Sequence, residues 1–258
     1  MKTIAAMLPC YNEEPNVRPL VDKWLALVQP FREKGYDLQV FCIDDKSVDH
    51  TAEVIREVAE QNPERVMLLQ HPQNLGLGGA LCTAFNTFLA RCAPGDVCVL
   101  MDGDNTHDPV YSLSMLPAIE SDSDCVIASR YCDRSLTKGV SGFRQLLSGG
   151  ARVFYTLLLG VPGVKDYSCG YRMYRYDLIA KARTVYGDRL VSRRSFACMM
   201  EALYKLSLLG ARFSEVPFAL RYDHKQGESK MRILKTVSES IGTAFALRFR
   251  RKNGPAAH

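Results

Sequence analysis

Five short apolar runs, Thr3–Leu8, Leu38–Ile43, Val66–Gln70, Val97–Met101 and Cys125–Ser129, alternate with longer segments of helical spacing through the first half of the chain. The helical segments include Val17–Val28, Thr51–Ala59 and Ala80–Ala90. Strand alternating with helix is the signature of β-α-β units on a largely parallel sheet, so the chain is predicted to be an α/β protein. The second half is less regular. Phe143–Leu159, Ser195–Leu209 and Met231–Phe249 have helical spacing, and Arg212–Leu220 alternates like a strand. No internal repeat or low-complexity linker interrupts the 258 residues, which read as one domain. No run approaches the roughly 18–20 apolar residues of a membrane span. Nine scattered cysteines without a CxxC pair suggest neither a disulfide framework nor a zinc site, and they suit the cytosol or a cytosolic membrane face.

Polar segments follow the first four strands: PCYNEEPN, DDKSVDHT, HPQNLGLGG and DGDNTHDP. In an open α/β sheet, ligands bind beyond the carboxyl ends of the strands. Asp102-Gly103-Asp104 closes the fourth strand. Residues two apart in an extended segment face the same side, so both carboxylates can meet one cation, and hard oxygen ligands fit Mg²⁺ or Mn²⁺. The same DGDN is also good turn sequence. Asp44 and Asp45, with Ser47 and Asp49 behind them, suit contact with a base or ribose, or the capping of a helix. Gly76-Leu77-Gly78-Gly79 follows the third strand and has Leu81 where a dinucleotide fingerprint needs its third glycine, so it reads as a tight helix start with close backbone approach. Lys225–Lys230, a basic glycine-containing loop before a helix, reads either as a phosphate clamp or as a solvated loop. Glu201, inside an apolar helix, is either exposed or selected for a polar partner.

Charge is unevenly placed. Residues 221–258 carry nine Lys/Arg against three Asp/Glu, whereas residues 1–220 carry 24 against 25. Such asymmetry points to phosphates, an anionic membrane or nucleic acid. The basic tail lacks the interleaved aromatic platform of a nucleic-acid binder.

The ordered series LPCYNEEPN, IDDKSVDHT, NLGLGGA, MDGDNTHDP, ASRY, DYSCGYRMYR, FACMMEAL, VPF and QGESKM resembles family-2 glycosyltransferases of the GT-A fold, and among them the dolichol-phosphate mannose synthase group. The resemblance runs from about Met7 to Met231. It implies a GT-A catalytic domain over residues 1–230 and a C-terminal amphipathic helix with a basic tail over 231–258. The implied reaction is inverting, metal-dependent transfer of a hexose from a nucleotide sugar to a polyprenyl phosphate. GDP-mannose is the favoured donor and a UDP-sugar the next. The rivals are a GT-A enzyme with a soluble or polysaccharide acceptor, and a nucleotide-sugar binding protein without turnover.

The resemblance also implies residue roles. Pro9, Tyr11, Glu13, Asp44, Asp45 and Gly76 would line the donor nucleotide, and Asp102 and Asp104 would hold Mg²⁺ or Mn²⁺ with the diphosphate. Thr106 stands where the synthases often carry a glutamine in the metal shell. Arg130, with Arg144, would meet the acceptor phosphate, and Lys225, Ser229 and Lys230 would close over the donor. Gln226 replaces an arginine frequent before GESK, leaving Lys225 in its stead. Asp166 would orient the sugar or a helix end rather than act as a base. Two candidate interface helices complete the expectation. Ile233, Val237, Ile241, Phe245 and Phe249 recur at four-residue spacing with Arg248, Arg250, Arg251 and Lys252 at the end. Phe143–Leu159 carries Leu146, Leu147, Ala151, Phe154, Tyr155 and Leu158, flanked by Arg144 and Arg152. Both stripes suit either the core or a membrane surface, which would make the protein peripheral to the cytoplasmic membrane face.

Overall fold

The computed structural model describes residues 1–132, 142–219 and 233–250, with the backbone alone at 142–149, 151, 233–237 and 250. A seven-stranded sheet has the order β3-β2-β1-β4-β6-β5-β7. Its strands are β1 (Lys2–Cys10), β2 (Tyr36–Asp44), β3 (Val66–Gln70), β4 (Val97–Leu100), β5 (Cys125–Ser129), β6 (Arg172–Arg175) and β7 (Phe213–Pro217). Each of the five expected first-half strands is present. The sheet is parallel except for β6, which lies antiparallel between β4 and β5. Helices cover both faces, so central strands are buried on both sides and read as continuous apolar runs. Ile4–Leu8 of β1 and Cys125–Ala128 of β5 are wholly buried. Burial pushes the Cys42 and Cys125 thiols up to about 12, and these residues act as small packing groups.

The helices are α1 (Glu14–Leu25), α2 (Val28–Glu33), α3 (Thr51–Gln61), α4 (Gly76–Arg91), α5 (Tyr111–Ser121), α6 (Gly142–Leu159), α7 (Tyr176–Tyr186), α8 (Ala197–Leu208) and α9 (Ile233–Arg250). The helix expected through Val17–Val28 ends early. Pro30 has no N–H, and its ring would clash with the carbonyl four residues back, at Ala26, so the chain turns at Ala26–Leu27 and restarts as α2. The helix expected from Ala80 starts at Gly76, where the segment 193–194 crosses its first turn. Gly78 N–H donates to the Arg194 carbonyl at 3.2 Å, and a methyl group on Gly78 would overlap the Arg193 carbonyl oxygen. Glu201 of α8 holds the other side of that segment. It accepts the amides of Ser192 and Arg193, both at 2.9 Å, and pairs with Lys205 at 2.6 Å.

Helices α6 and α9 pack together through Phe154 and Phe245, whose ring centroids are 5.8 Å apart. On α6, Tyr155 and Leu159 face the core, while Val153 and Leu157 point outward, Leu157 being 81% exposed. On α9, Thr243 and Ala244 are buried, and Ile241, Phe245 and Phe249 stay substantially exposed. Among the described residues, no helix is long and apolar enough to cross a membrane.

Because the 193–194 backbone leaves no room for a β-carbon at Gly78, the Gly78→Ala variant is expected to lose about 2–3 kcal/mol of stability, read as a lowered urea midpoint with an unchanged slope.

Candidate active site

The chain leaves β1, β2, β4 and β5 on one edge of the sheet and approaches β6 there. At the end of β1 and β2, two loops interlock. Asn12 N–H donates to Ser47 Oγ at 2.9 Å, Val48 N–H to Asn12 Oδ1 at 2.8 Å, and Glu13 N–H to Thr51 Oγ1 at 2.7 Å. Glu13 is buried and accepts Asn16 Nδ2 at 2.8 Å. Tyr11 rises from this base with 40% of its surface exposed, and the Pro9 carbonyl accepts Gly103 N–H at 3.1 Å.

Asp44 and Asp45 both turn inward. Asp44 accepts Ser47 N–H and Gln70 Nε2, each at 3.2 Å. Asp45 accepts the amides of Leu75 at 2.7 Å and Gly76 at 2.8 Å, and lies 2.8 Å from His71 Nδ1. Of the two roles open to Asp45 in sequence, this is the helix cap: the carboxylate satisfies backbone donors at the start of α4. Gly76, expected along the donor, directs its amide to that cap, and Arg194 lies over it through bonds to the Asn74 and Leu75 carbonyls.

The Asp102–Asp104 loop follows β4 and is braced against β1. Both carboxylates are partly exposed. Asp104 Oδ1 accepts the Thr106 hydroxyl at 2.6 Å and its amide at 3.1 Å, so Thr106 is buried beneath the carboxylate and orients it. From α1, Lys23 Nζ reaches Asn105 Oδ1 at 2.8 Å. Among the described residues no group of three acids, histidines or cysteines gathers to hold a metal. Two partly exposed carboxylates on one loop fit a hard divalent ion such as Mg²⁺ or Mn²⁺, which commonly completes its shell with water and substrate phosphate oxygens.

Arg130 follows β5. Its Nε and Nη2 meet the Asp166 oxygens at 2.8 and 2.7 Å, and Nη2 also reaches Ser168 Oγ at 2.7 Å. Asp166 is fully buried, whereas the Arg130 side chain keeps 25% of its surface exposed. Burial raises the Asp166 carboxyl pKa, but the Arg130 charge and hydrogen bonds outweigh it, and the group is held below its ordinary value of 3.8. Burial likewise opposes the Arg130 charge, and the Asp166 carboxylate reverses that effect.

The loop carrying Asp166 is fixed by Glu215 of β7, which accepts the Lys165 and Asp166 amides at 2.6 and 2.7 Å. It is fixed again by the buried Arg172, which donates to the Tyr167 and Met199 carbonyls at 2.8 and 2.7 Å. The same loop touches the DGD turn. A β-carbon on Gly170 would lie 3.0 Å from Asp102 Oδ1. One short loop therefore joins the carboxylate site to the arginine site.

Sequence reasoning missed His71, Lys23, Glu215 and Arg172 as supports of these groups. Lys225, Ser229 and Lys230 lie outside the described residues, and Arg144 is described by its backbone in α6 alone.

Asp166→Asn should cost about 3 kcal/mol, because it leaves a partly buried guanidinium without its anion. Folding lowers the Asp166 pKa, so the folded state binds fewer protons. The stabilisation is full above the ordinary carboxylate value of 3.8 and is lost as pH falls through the lower folded value. The gap in melting temperature between wild type and Asp166→Asn should therefore be wide at pH 7 and begin to close only as pH falls below about 4.

Comparison with known proteins agrees with this architecture. Residues 6–182 match the description of glycosyl transferase family 2. The chain is 28% identical to the polyprenol monophosphomannose synthase of Mycolicibacterium smegmatis over 225 residues, 87% of this chain and 79% of that protein. It is also 28% identical to the undecaprenyl-phosphate mannosyltransferase of Micrococcus luteus over 228 residues, 88% of this chain and 87% of that protein. Among solved structures, the Mycobacterium tuberculosis glucosyl-3-phosphoglycerate synthase bound to Mn²⁺, UDP and glucosyl-3-phosphoglycerate superposes with a TM-score of 0.66 at 18% identity, covering 96% of this chain and 80% of that one. That likeness establishes a shared α/β fold of the GT-A kind. With more than half of its length matched, the chain is a glycosyltransferase belonging to glycosyl transferase family 2.

Proposed function

We propose that this glycosyltransferase moves one hexose from a nucleoside-diphosphate sugar to a polyprenyl phosphate, with inversion at the anomeric carbon. The observation that carries the reading is the joint geometry of Asp102 and Arg130: a carboxylate turn suited to a metal diphosphate and an arginine suited to a second phosphate, joined by the loop 166–170. The names of the Mycolicibacterium and Micrococcus relatives support a polyprenyl phosphate acceptor and transfer of mannose; in this reading GDP-mannose is the first donor to test and a UDP-sugar the second.

In this mechanism Tyr11 and Pro9 border the nucleotide, and Asp102 and Asp104 hold Mg²⁺ or Mn²⁺, which supplies charge neutralisation for the diphosphate. Thr106 serves by orienting Asp104. Arg130 commits Nε and Nη2 to Asp166 and Ser168, leaving Nη1 for the acceptor phosphate. A phosphate monoester has a second pKa of about 6 and is largely ionised at neutral pH. Its oxygen attacks the anomeric carbon opposite the leaving group. The bond from that carbon to the diphosphate oxygen breaks, and the electron pair departs with the nucleoside diphosphate. No side chain has to remove a proton, consistent with Asp166 being held as the partner of Arg130. Positioning and electrostatics supply the rate. Lys225, Ser229 and Lys230 complete the donor side in this reading, and Arg144 the acceptor side.

Residues 1–230 form the catalytic unit of this proposal, and 231–258 extend it toward a membrane surface. Val153 and Leu157 of α6 and Ile241, Phe245 and Phe249 of α9 offer apolar side chains to the acyl boundary of the cytoplasmic leaflet. Arg248 and Arg250 of α9, with Arg251 and Lys252 next in the sequence, would meet anionic headgroups in this proposal, each contributing roughly 1 kcal/mol at low salt.

A screen of GDP-mannose and UDP-sugars against a short polyprenyl phosphate with Mg²⁺ or Mn²⁺ should show transfer with inverted configuration. Asp102→Ala and Asp104→Ala should each lower turnover by more than about 100-fold, as should EDTA. Turnover of a water-soluble acceptor with none of the lipid phosphate would replace this reading with the soluble-acceptor one. Separately, the protein should float with anionic vesicles at low salt, and removal of residues 231–258 or addition of salt should release it. Wild-type protein that ignores such vesicles at low salt would remove the membrane part of the proposal.

A further inference from the structure

Among the described residues, three that are not glycine hold a left-handed backbone, and all three stand just past strands that build the site. They are Asn12 after β1 (φ 55°), Lys46 after β2 (φ 60°) and Asn105 after β4 (φ 59°). A β-carbon is crowded in this conformation, and asparagine tolerates it best because its short side chain bonds locally. Asn12 Oδ1 takes the Val48 amide and Asn105 Oδ1 takes Lys23 Nζ, both at 2.8 Å. Lys46 has no such compensation. Its side chain is exposed, and no described residue pairs with its ammonium.

The surroundings nonetheless hold position 46 in place. Asp45 N–H donates to the Cys10 carbonyl at 2.9 Å, Asn74 Nδ2 to the Asp45 carbonyl at 3.1 Å, and Ser47 N–H to Asp44 Oδ1 at 3.2 Å. A glycine would fit this backbone without strain. Strain of this kind persists where the surrounding structure over-determines it, and it concentrates at functional sites. Asp44 and Asp45 are buried and turned inward, and Lys46 leaves an exposed cationic side chain in the turn that follows β2. From β2 across β1 to β4 is two strand spacings, about 10 Å, comparable to the separation of base and diphosphate in an extended nucleotide.

We infer that Lys46 is a specificity-determining residue whose ammonium meets the carbonyl oxygen of an oxo base, O4 of uracil or O6 of guanine. The inference rests on the donor being a nucleotide sugar. An ammonium has three donors and no acceptor. It therefore favours a base presenting a carbonyl and disfavours one presenting an exocyclic amine at the same place, as cytosine and adenine do.

The test is calorimetric binding of UDP, CDP, GDP and ADP, with Mg²⁺ or Mn²⁺, to wild type, Lys46→Gly and Lys46→Arg. Wild type should bind at least one oxo-base nucleotide about tenfold more tightly than its amino-base counterpart, UDP over CDP or GDP over ADP. Lys46→Gly should bring that ratio close to one while leaving pyrophosphate binding unchanged, and Lys46→Arg should keep the preference. Without nucleotide, Lys46→Gly should melt at a higher temperature, since glycine relieves the left-handed strain. A wild-type preference that survives in Lys46→Gly would overturn the inference, as would nucleotide binding by wild type with no oxo-base preference. Failure of wild type to bind any of the four would overturn the donor reading itself, and this inference with it.

Discussion

The carboxylate of Asp45 is where three strands and a helix are made to agree. It is buried at the end of β2 and receives the amides that open α4, together with His71 from the end of β3. Its own amide bonds to the last carbonyl of β1. The start of a helix has unpaired N–H groups and a positive dipole end, and a buried carboxylate must have donors around it, so each satisfies the other. The ends of β1, β2 and β3 are thereby held in one relation. The backbone that carries Tyr11 and Lys46 is likewise held from beneath.

A second buried carboxylate, that of Asp166, does the corresponding work on the other side of the sheet. There the partner is a side-chain cation rather than a helix start, and the pair stays partly open to solvent through Arg130. The two halves of the site consequently carry opposite character. The β4 side presents oxygen ligands for a cation, and the β5 side presents a guanidinium for an anion. Glu215 and Arg172 anchor the loop between them from β7 and from the first residue of β6.

Much of this was legible in the sequence. The first five strands were readable because parallel strands buried on both faces leave unbroken apolar runs, each closed by a polar loop. Arg130 stood out only through the family resemblance that ASRY helps to carry, whereas the DGD turn was readable as a local motif. Strand β6 was not, since four residues with an arginine at each end form no apolar run, and Arg172 is buried only because backbone carbonyls from distant segments receive it. The inward turn of Asp45 depends on His71, 26 residues away, and the bracing of the DGD turn on Lys23, 82 residues from its partner. Such contacts are products of topology and leave no periodic trace in the chain. The stripe on α6 was visible as a pattern, but the contacts that Phe154 makes with Phe245 of α9 and Tyr155 with Tyr167 are supplied by no local reading.

The reversed strand β6 has a geometric consequence. Hydrogen-bonded strands are spaced about 4.8 Å apart, so positions along the edge of a sheet form a ladder with fixed rungs. Inserting β6 between β4 and β5 sets the carboxylate turn and the arginine two rungs apart rather than one, and the inserted rung is approached from its beginning, bringing the loop 166–171 between them. The gap between the two chemistries is thus a whole-number property of the sheet. Side-chain substitutions can trim what fills it, but only the gain or loss of a strand can change the number of rungs.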